Sequence, residues 1–164
     1  MDRKRQGLVL GQTILENFGL PNLGSFSRLS WIDLARERSA FRGHGEQLQI
    51  KMTGPEQVVA TLSGGNQQKV VLGKWLAMKP RLLLLDEPTR GIDVGSKQEI
   101  YRLMEELAAG GVAILFVSSE MEEVLGMADR ALVMHEGVIT GELARDQLSE
   151  EAVMQLATGN KAAA

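Results

Sequence analysis

The sequence predicts an α/β fold in which a helical segment precedes a lobe built on parallel strands. Three observations carry that expectation. From Gly64 onward, short apolar runs alternate with amphipathic helical stretches, which is the pattern of strands joined by helical crossovers. Leu82-Leu83-Leu84-Leu85 is an unbroken apolar run, as in a strand covered on both faces of a parallel sheet. Residues 1 to 60 instead carry short helical patterns and turn residues, so they read as a helical insert and not as a sheet.

Taken in order, Thr13 to Phe18 is a short amphipathic segment, and Pro21 and Gly24 mark a loop. A helix is expected from Ser30 to about Phe41, with Ile32, Leu34 and Ala35 among charged neighbours. Gly43 and Gly45 then lead into Leu48 to Thr61, interrupted by Gly54-Pro55. The next helix, Asn66 to Lys79, places Val71, Trp75 and Met78 on one face and stops at Pro80. After the leucine strand, Ser96 is expected to cap a helix to about Ala109, striped by Ile100, Leu103, Met104 and Leu107 and ended by Gly110-Gly111. A strand at Val112 to Val117, a short helix from Glu120 to about Met127 and a strand at Arg130 to His135 follow. Glu136-Gly137 turns into a strand near Val138 to Gly141, Ser149 with Glu150 and Glu151 starts a last helix, and Lys161 to Ala164 is a tail. This divides the chain into an insert with its preceding segment (1–62), a core lobe (63–147) and a C-terminal helix and tail (148–164).

Composition narrows the chemistry. The 164 residues hold 18 Lys and Arg against 21 Asp and Glu, for a net charge of −3, and no cysteine. Disulfide scaffolds, thiol catalysis and cysteine-based zinc sites are excluded. A mildly acidic total gives no electrostatic footprint for nucleic acid. His44, in a Gly-His-Gly loop, and His135, at the edge of a tight turn, are far apart and read as surface residues instead of a metal site. The longest clean apolar run, Val112 to Val117, is strand-sized, so a soluble chain without a membrane span is expected. Met1 to Arg5 followed by Leu8-Val9-Leu10 is broken too early by Gly7, Gln12 and Glu16 to act as a signal peptide.

Two clusters carry chemistry. In Leu62-Ser63-Gly64-Gly65-Asn66-Gln67-Gln68-Lys69, a Ser-Gly-Gly turn opens directly into a helix. A helix start presents unpaired N–H groups and the positive dipole end, and two glycines let the backbone approach an anion. The same residues also fit a plain glycine turn with Ser63 as N-cap. In the second cluster, Asp86-Glu87-Pro88-Thr89 sits at the C-terminal end of the leucine strand, where open α/β sheets bind ligands. Asp86 there suits Mg²⁺, held by one or two carboxylates with waters and phosphates, and Glu87 is placed to orient or deprotonate a water. The alternative is that Asp86 caps a turn and Glu87 is solvated.

Together the clusters are far more specific. LSGGNQQK followed by LLLLDEPT, with Asp86 lying 23 positions after Ser63, resembles the ATP-binding-cassette ATPases. Leu62 to Gln68 is similar to their signature motif, Leu82 to Glu87 to their Walker B strand, and Thr89-Arg90-Gly91-Ile92-Asp93 to their D-loop. The wording SGGNQQK, DEPTRGIDVG and SSEMEEVLGMADR is most similar to the second nucleotide-binding domain of importers for ribose, related simple sugars and autoinducer-2. Asp2 to Leu8 resembles the segment just after the Q-loop region. Chromosome-maintenance ATPase heads also carry an S-G-G signature before a D-E strand, but no coiled-coil heptads or basic face accompany it here.

Two departures shape what the resemblance implies. No G-x-x-x-x-G-K-[ST] occurs in the 164 residues, and Lys69 lacks the glycine and hydroxyl flanks of a phosphate loop. The expected fold is therefore an incomplete P-loop NTPase domain, with the helical insert but without the N-terminal antiparallel sheet and phosphate loop. Ser119 stands where the family usually carries a switch histidine, and a hydroxyl cannot act as a titrating contact near neutral pH. The resemblance implies ATP and Mg²⁺ as cofactors, with Ser63, Gly64, Gly65 and Gln68 contacting nucleotide. Glu87 is implied as the catalytic carboxylate, Asp86 as the Mg²⁺ residue acting through water, Asp93 as the D-loop aspartate and Ser119 as the switch position. It also implies a partner nucleotide-binding domain whose site this signature completes in trans. Membrane permease subunits, a periplasmic sugar-binding protein acting indirectly, no nucleic acid, and a peripheral place on the cytoplasmic side of the inner membrane are implied too. The permease would dock beside residues 8 to 45, with Leu8, Val9, Leu10, Phe18 and Leu20 lining the groove or else packing the insert core. The alternative function is a non-catalytic truncated fragment that binds no nucleotide alone.

Overall fold

The computed structural model describes residues 7–28 and 31–159. The segment Asp2 to Gln6, the expected helix start at Ser30 and the tail from Lys161 lie outside the described residues. The chain divides into two compact units, one up to Val117 and one from Ser118.

The first unit opens with α1 (Ile14–Gly19), where sequence chemistry sets the start. The Thr13 hydroxyl accepts from the Glu16 N–H at 3.2 Å and the Glu16 carboxylate accepts from the Thr13 N–H at 2.8 Å, a reciprocal capping box. The stretch around Pro21 and Gly24, expected as a loop, is helical: a tight turn over Leu20–Asn22 passes into α2 (Leu23–Phe26). Proline's fixed φ suits a first helical turn, and the buried Asn22 amide donates to the Phe18 carbonyl at 3.1 Å, holding the turn against α1. The insert also contains a small sheet that the helical reading did not include. In it, β1 (Ser27–Arg28) pairs antiparallel with β2 (Trp31–Ile32).

Helix α3 (Leu34–Gln47) begins later and runs further than its sequence suggests. Asp33 caps it by accepting from the Arg36 N–H at 3.0 Å, so Ile32 falls in the strand before it. Gly43 and Gly45 do not stop it; Gly45 is buried, with Phe41 and Met52 at ordinary contact distance from where a Cβ would lie. The buried face is Glu37, Phe41 and Gly45 at helical spacing, while Leu34 and Ala35 are exposed. Phe41 meets Phe18 edge-on at 5.3 Å and Phe26 stacks on it at 6.2 Å, forming the aromatic centre of the insert. His44 also belongs to this helix and approaches Phe18 at 5.7 Å, so the loop reading of that residue is corrected.

The insert packs directly on α4 (Gly64–Leu76), whose buried residues include Val70, Leu72, Gly73 and Leu76. The expected face of Val71, Trp75 and Met78 is the other side: Trp75 and Met78 are exposed. Beyond the helix end and its cap at Ala77, Lys79 adopts the left-handed conformation, φ 51°, its N–H bonded to the Leu76 carbonyl at 2.8 Å.

β3 (Leu82–Asp86) pairs in parallel register with β4 (Ala113–Val117), Leu83 opposite Ile114 and Asp86 opposite Val117. Between them runs α5 (Val94–Ala109), with Ile100, Leu103, Met104 and Leu107 all buried, as the stripe predicts. The leucine run was expected to be covered on both faces, and here it is covered on one. Leu83 is buried, whereas Leu82, Leu84, Leu115 and Val117 are 53%, 68%, 55% and 61% exposed on the opposite face. Strand alternation separates the two sets, and no described residue covers the second face.

The second unit contains α6 (Met121–Met127), the hairpin β5 (Arg130–His135) and β6 (Val138–Ala144), and α7 (Glu150–Ala157). Glu136 and Gly137 both adopt positive φ, 48° and 79°, which closes the two-residue hairpin. Val133, Leu143 and Leu156 form its core. Gly141 makes room for Leu156, since a Cβ there would lie 2.7 Å from Leu156 Cδ1. Among the described residues, no helix is long and apolar enough to cross a membrane.

Candidate functional site

The Ser63-Gly64-Gly65 turn is held by its neighbouring side chains. Ser63 is extended, φ −60° and ψ 157°, and caps α4. Its hydroxyl accepts from the Asn66 N–H at 3.4 Å and from the Asn66 side-chain amide at 2.9 Å. With its acceptor capacity used, the hydroxyl has its O–H to offer outward. Asn66 in turn accepts the Lys51 N–H at 2.8 Å, tying the turn to the insert. Sequence reasoning passed over Asn66; its place three residues after a Ser N-cap was the available signal. Ser63 is exposed, Gly64 and Asn66 are half-buried, and the first turn carries no acidic residue, so the positive end of α4 is accessible to an anion.

Deeper in the helix the polar side chains face inward. Gln67 is buried and donates to the carbonyls of Val59 and Leu62, both at 3.2 Å, pinning the chain that leads into the turn. Gln68 is buried as well, one turn into the helix. Gly65 is buried against α5, where a Cβ would overlap Ser96. Lys69, with a side chain only 4% exposed, pairs with Glu99 at 2.8 Å and donates to the Gln49 carbonyl at 3.1 Å. Lys51 approaches the same carboxylate at 3.6 Å. The Lys69 hydrogen bond foremost holds the Glu99 carboxyl below its ordinary range.

The strand-end cluster is positioned by the β3–β4 ladder. Asp86 is the last residue of β3 and is exposed. Glu87 continues the ladder, its N–H donating to the Val117 carbonyl at 2.8 Å, and adopts φ 51°. A left-handed glutamate is a sparsely populated conformation of the kind that concentrates at functional positions. Pro88 and Thr89 are fully buried beneath it, which fixes the chain leaving the strand. Among the described residues no group of three or more His, Cys, Asp or Glu gathers to hold a metal. Asp86 and Glu87 are two adjacent carboxylates at this strand end, a donor set that could hold Mg²⁺ only with phosphates and waters supplying the remaining ligands.

Asp93 caps α5, a role that sequence reasoning gave to Ser96. Its carboxylate accepts the Ser96 N–H at 2.9 Å and the Ser96 hydroxyl at 2.8 Å. The Ser96 backbone bond foremost lowers the Asp93 pKa. The structure thus brings Gly65 and Asp93 onto the same serine. Ser119 belongs to the second unit and is exposed. Of the residues expected to line a permease groove, Leu8 and Phe18 are core residues, while Val9 and Leu20 are exposed.

Comparison with known proteins bears on the family and the fold. The family described as ABC transporter matches residues 5–90, more than half of the chain. The ribose import ATP-binding protein RbsA of Bacillus licheniformis is 54% identical over 160 residues, covering 98% of this chain and 32% of that protein. Its counterpart from Lactococcus lactis is 51% identical, again over 98% of this chain and 32% of that protein. The chain spans about a third of the length of these curated relatives. Among solved structures, an ATP-binding cassette of an ABC transporter in its ADP conformation superposes with TM-score 0.67 at 26% identity, covering 92% of this chain and 60% of that one. A dimeric ATP-binding cassette bound to ADP and Pi superposes with TM-score 0.71 at 22% identity, covering 87% and 60%. With motifs, fold and matched relatives in agreement, the chain belongs to the ABC transporter family, as part of an ATP-binding cassette.

Proposed function

We propose that this chain supplies the signature half of an ATP site in a ribose or simple-sugar importer, completing in trans a site whose phosphate loop comes from a partner nucleotide-binding domain. The observation that carries the reading is the exposed, Ser63-capped start of α4, free of acidic residues in its first turn. Ser63, Gly64, Gly65 and Gln68 are the signature residues, with the Ser63 O–H and the first N–H groups of the helix directed at a γ-phosphate. On the opposite site of the same cassette, Asp86 would hold Mg²⁺ through water and Glu87 would orient the attacking water. Bound Mg²⁺ would neutralise developing phosphate charge. Asp93 acts as the D-loop aspartate and Ser119 occupies the switch position. The partners are a second nucleotide-binding domain, membrane permease subunits and, through them, a periplasmic sugar-binding protein. The protein acts peripherally on the cytoplasmic face of the inner membrane. The test is Ser63→Arg in the complete transporter: ATPase and uptake rates fall together, and unchanged rates refute the proposal.

A second reading concerns the chain by itself. Its 164 residues contain no G-x-x-x-x-G-K-[ST], which supports a polypeptide that binds no nucleotide alone. Titration with a fluorescent ATP analogue tests this, and micromolar Mg²⁺-dependent binding refutes it.

A further inference from the structure

We propose that Ser96 is a positioning residue that keeps the signature turn in register with the D-loop aspartate, and that position 65 is glycine because of Ser96. The catalytic consequence rests on the trans-signature reading above; the packing consequence does not. Gly65, the second residue of α4, lies on the first turn of α5. A Cβ there would overlap both the Cβ and the Oγ of Ser96, whose Cα would be 3.7 Å away. Rotating the serine moves its hydroxyl but not its Cβ, so only separation of the two helices relieves the overlap. The same serine binds Asp93 twice, through its N–H at 2.9 Å and its hydroxyl at 2.8 Å. One small side chain therefore touches the signature helix on one side and the D-loop aspartate on the other.

The next turn repeats the contact. Lys69 follows Gly65 by four residues, Glu99 follows Ser96 by three, and the two meet at 2.8 Å with the lysine buried. Residues three and four apart share a helix face, so both contacts lie along one α4–α5 seam. A seam closed at two successive turns makes the signature and the D-loop travel together. Movement of the Ser63 turn toward a partner's nucleotide is then transmitted to Asp93 without an intervening loop. Close approach of helix to helix is thus a reason for glycine at position 65 that is independent of any approach of its backbone to phosphate.

Two measurements test this. The first is the melting temperature of Gly65→Ala in three backgrounds of the chain: unmodified, Ser96→Ala and Ser96→Gly. Gly65→Ala is expected to lower the Tm in the first two, where a Cβ remains at position 96, and to leave it nearly unchanged in Ser96→Gly. Equal losses in all three backgrounds, or no loss in any, overturn the packing. The second uses a complete protein in which this chain replaces the matching third of the Bacillus licheniformis relative. There Ser96→Ala, which keeps the Cβ and removes the hydroxyl bonded to Asp93, lowers kcat for ATP by about fivefold with KM unchanged, the effect of one hydrogen bond. An unchanged kcat, or a KM that rises at constant kcat, overturns the positioning role. If the unmodified chimera has no ATPase, the functional reading fails, and the Tm comparison still decides the seam.

Discussion

The Lys69–Glu99 pair makes an asymmetric prediction. The lysine side chain is 4% exposed and the glutamate 36% exposed. Removing the glutamate by Glu99→Ala strands a buried ammonium with the Gln49 carbonyl as its remaining named partner. Breaking a fully buried pair in this way costs about 3 to 5 kcal/mol; with Glu99 a third open to water, about 2 kcal/mol is expected here. Removing the lysine by Lys69→Met leaves a carboxylate that water and Lys51, 3.6 Å away, can still serve, and retains the packing of the buried stem. That change should cost about 0 to 1 kcal/mol. For a chain of this size each kcal/mol shifts the melting temperature by about 2 to 4 °C, so Glu99→Ala should lower it by about 4 to 8 °C and Lys69→Met by no more than about 4 °C. Thermal unfolding followed by circular dichroism at pH 7 measures both. The double variant should resemble Lys69→Met, because the stranded charge is gone. If Lys69→Met costs as much as Glu99→Ala, or the double variant equals the sum of the singles, the reasoning from burial is refuted.

Two further predictions follow from buried polar groups. Burial foremost, and then Lys79, lowers the His44 pKa, and its buried Nδ1 has no hydrogen-bond partner among the described residues. The folded state therefore favours the neutral ring: stability is full above the unfolded value of about 6.5 and falls as pH drops below it. A urea midpoint that declines between pH about 7.5 and 5.5, with the slope reduced in His44→Gln, is the expected result. Asn17 is fully buried; its side chain accepts the Val9 N–H at 2.8 Å and donates to the carbonyls of Val9 at 3.0 Å and Thr13 at 2.9 Å. Asn17→Ala should cost about 2 kcal/mol, because it takes the acceptor from the Val9 N–H, while the Val9 and Thr13 carbonyls keep the Gln12 and Asn17 backbone N–H groups. A urea midpoint within error of the unmodified chain would refute that role.

The sequence alone determined whatever follows from local chemistry and periodicity. The stripe Ile100, Leu103, Met104 and Leu107, the Glu136-Gly137 hairpin and the Ser149 cap depend on spacing or on one residue's conformational range, and each stands in the structure as read. The motifs that carry the family are contiguous, so they too were legible, as were Ser63 as the α4 cap and the strand leading to Asp86. Tertiary structure decided which of two plausible faces is buried, and where helices stop when burial outweighs a glycine. On α4 the buried side is Val70, Leu72 and Leu76, not Val71, Trp75 and Met78, because the insert packs there. On α3, Gly45 lies inside the helix and on its buried face with Glu37 and Phe41. The contact between Gly65 and Ser96 joins residues 31 positions apart, and Asn22 reaches the Lys74 carbonyl, at 2.9 Å, across 52. Such meetings depend on how helices settle against one another, and a sequence window of one or two turns contains neither partner's position.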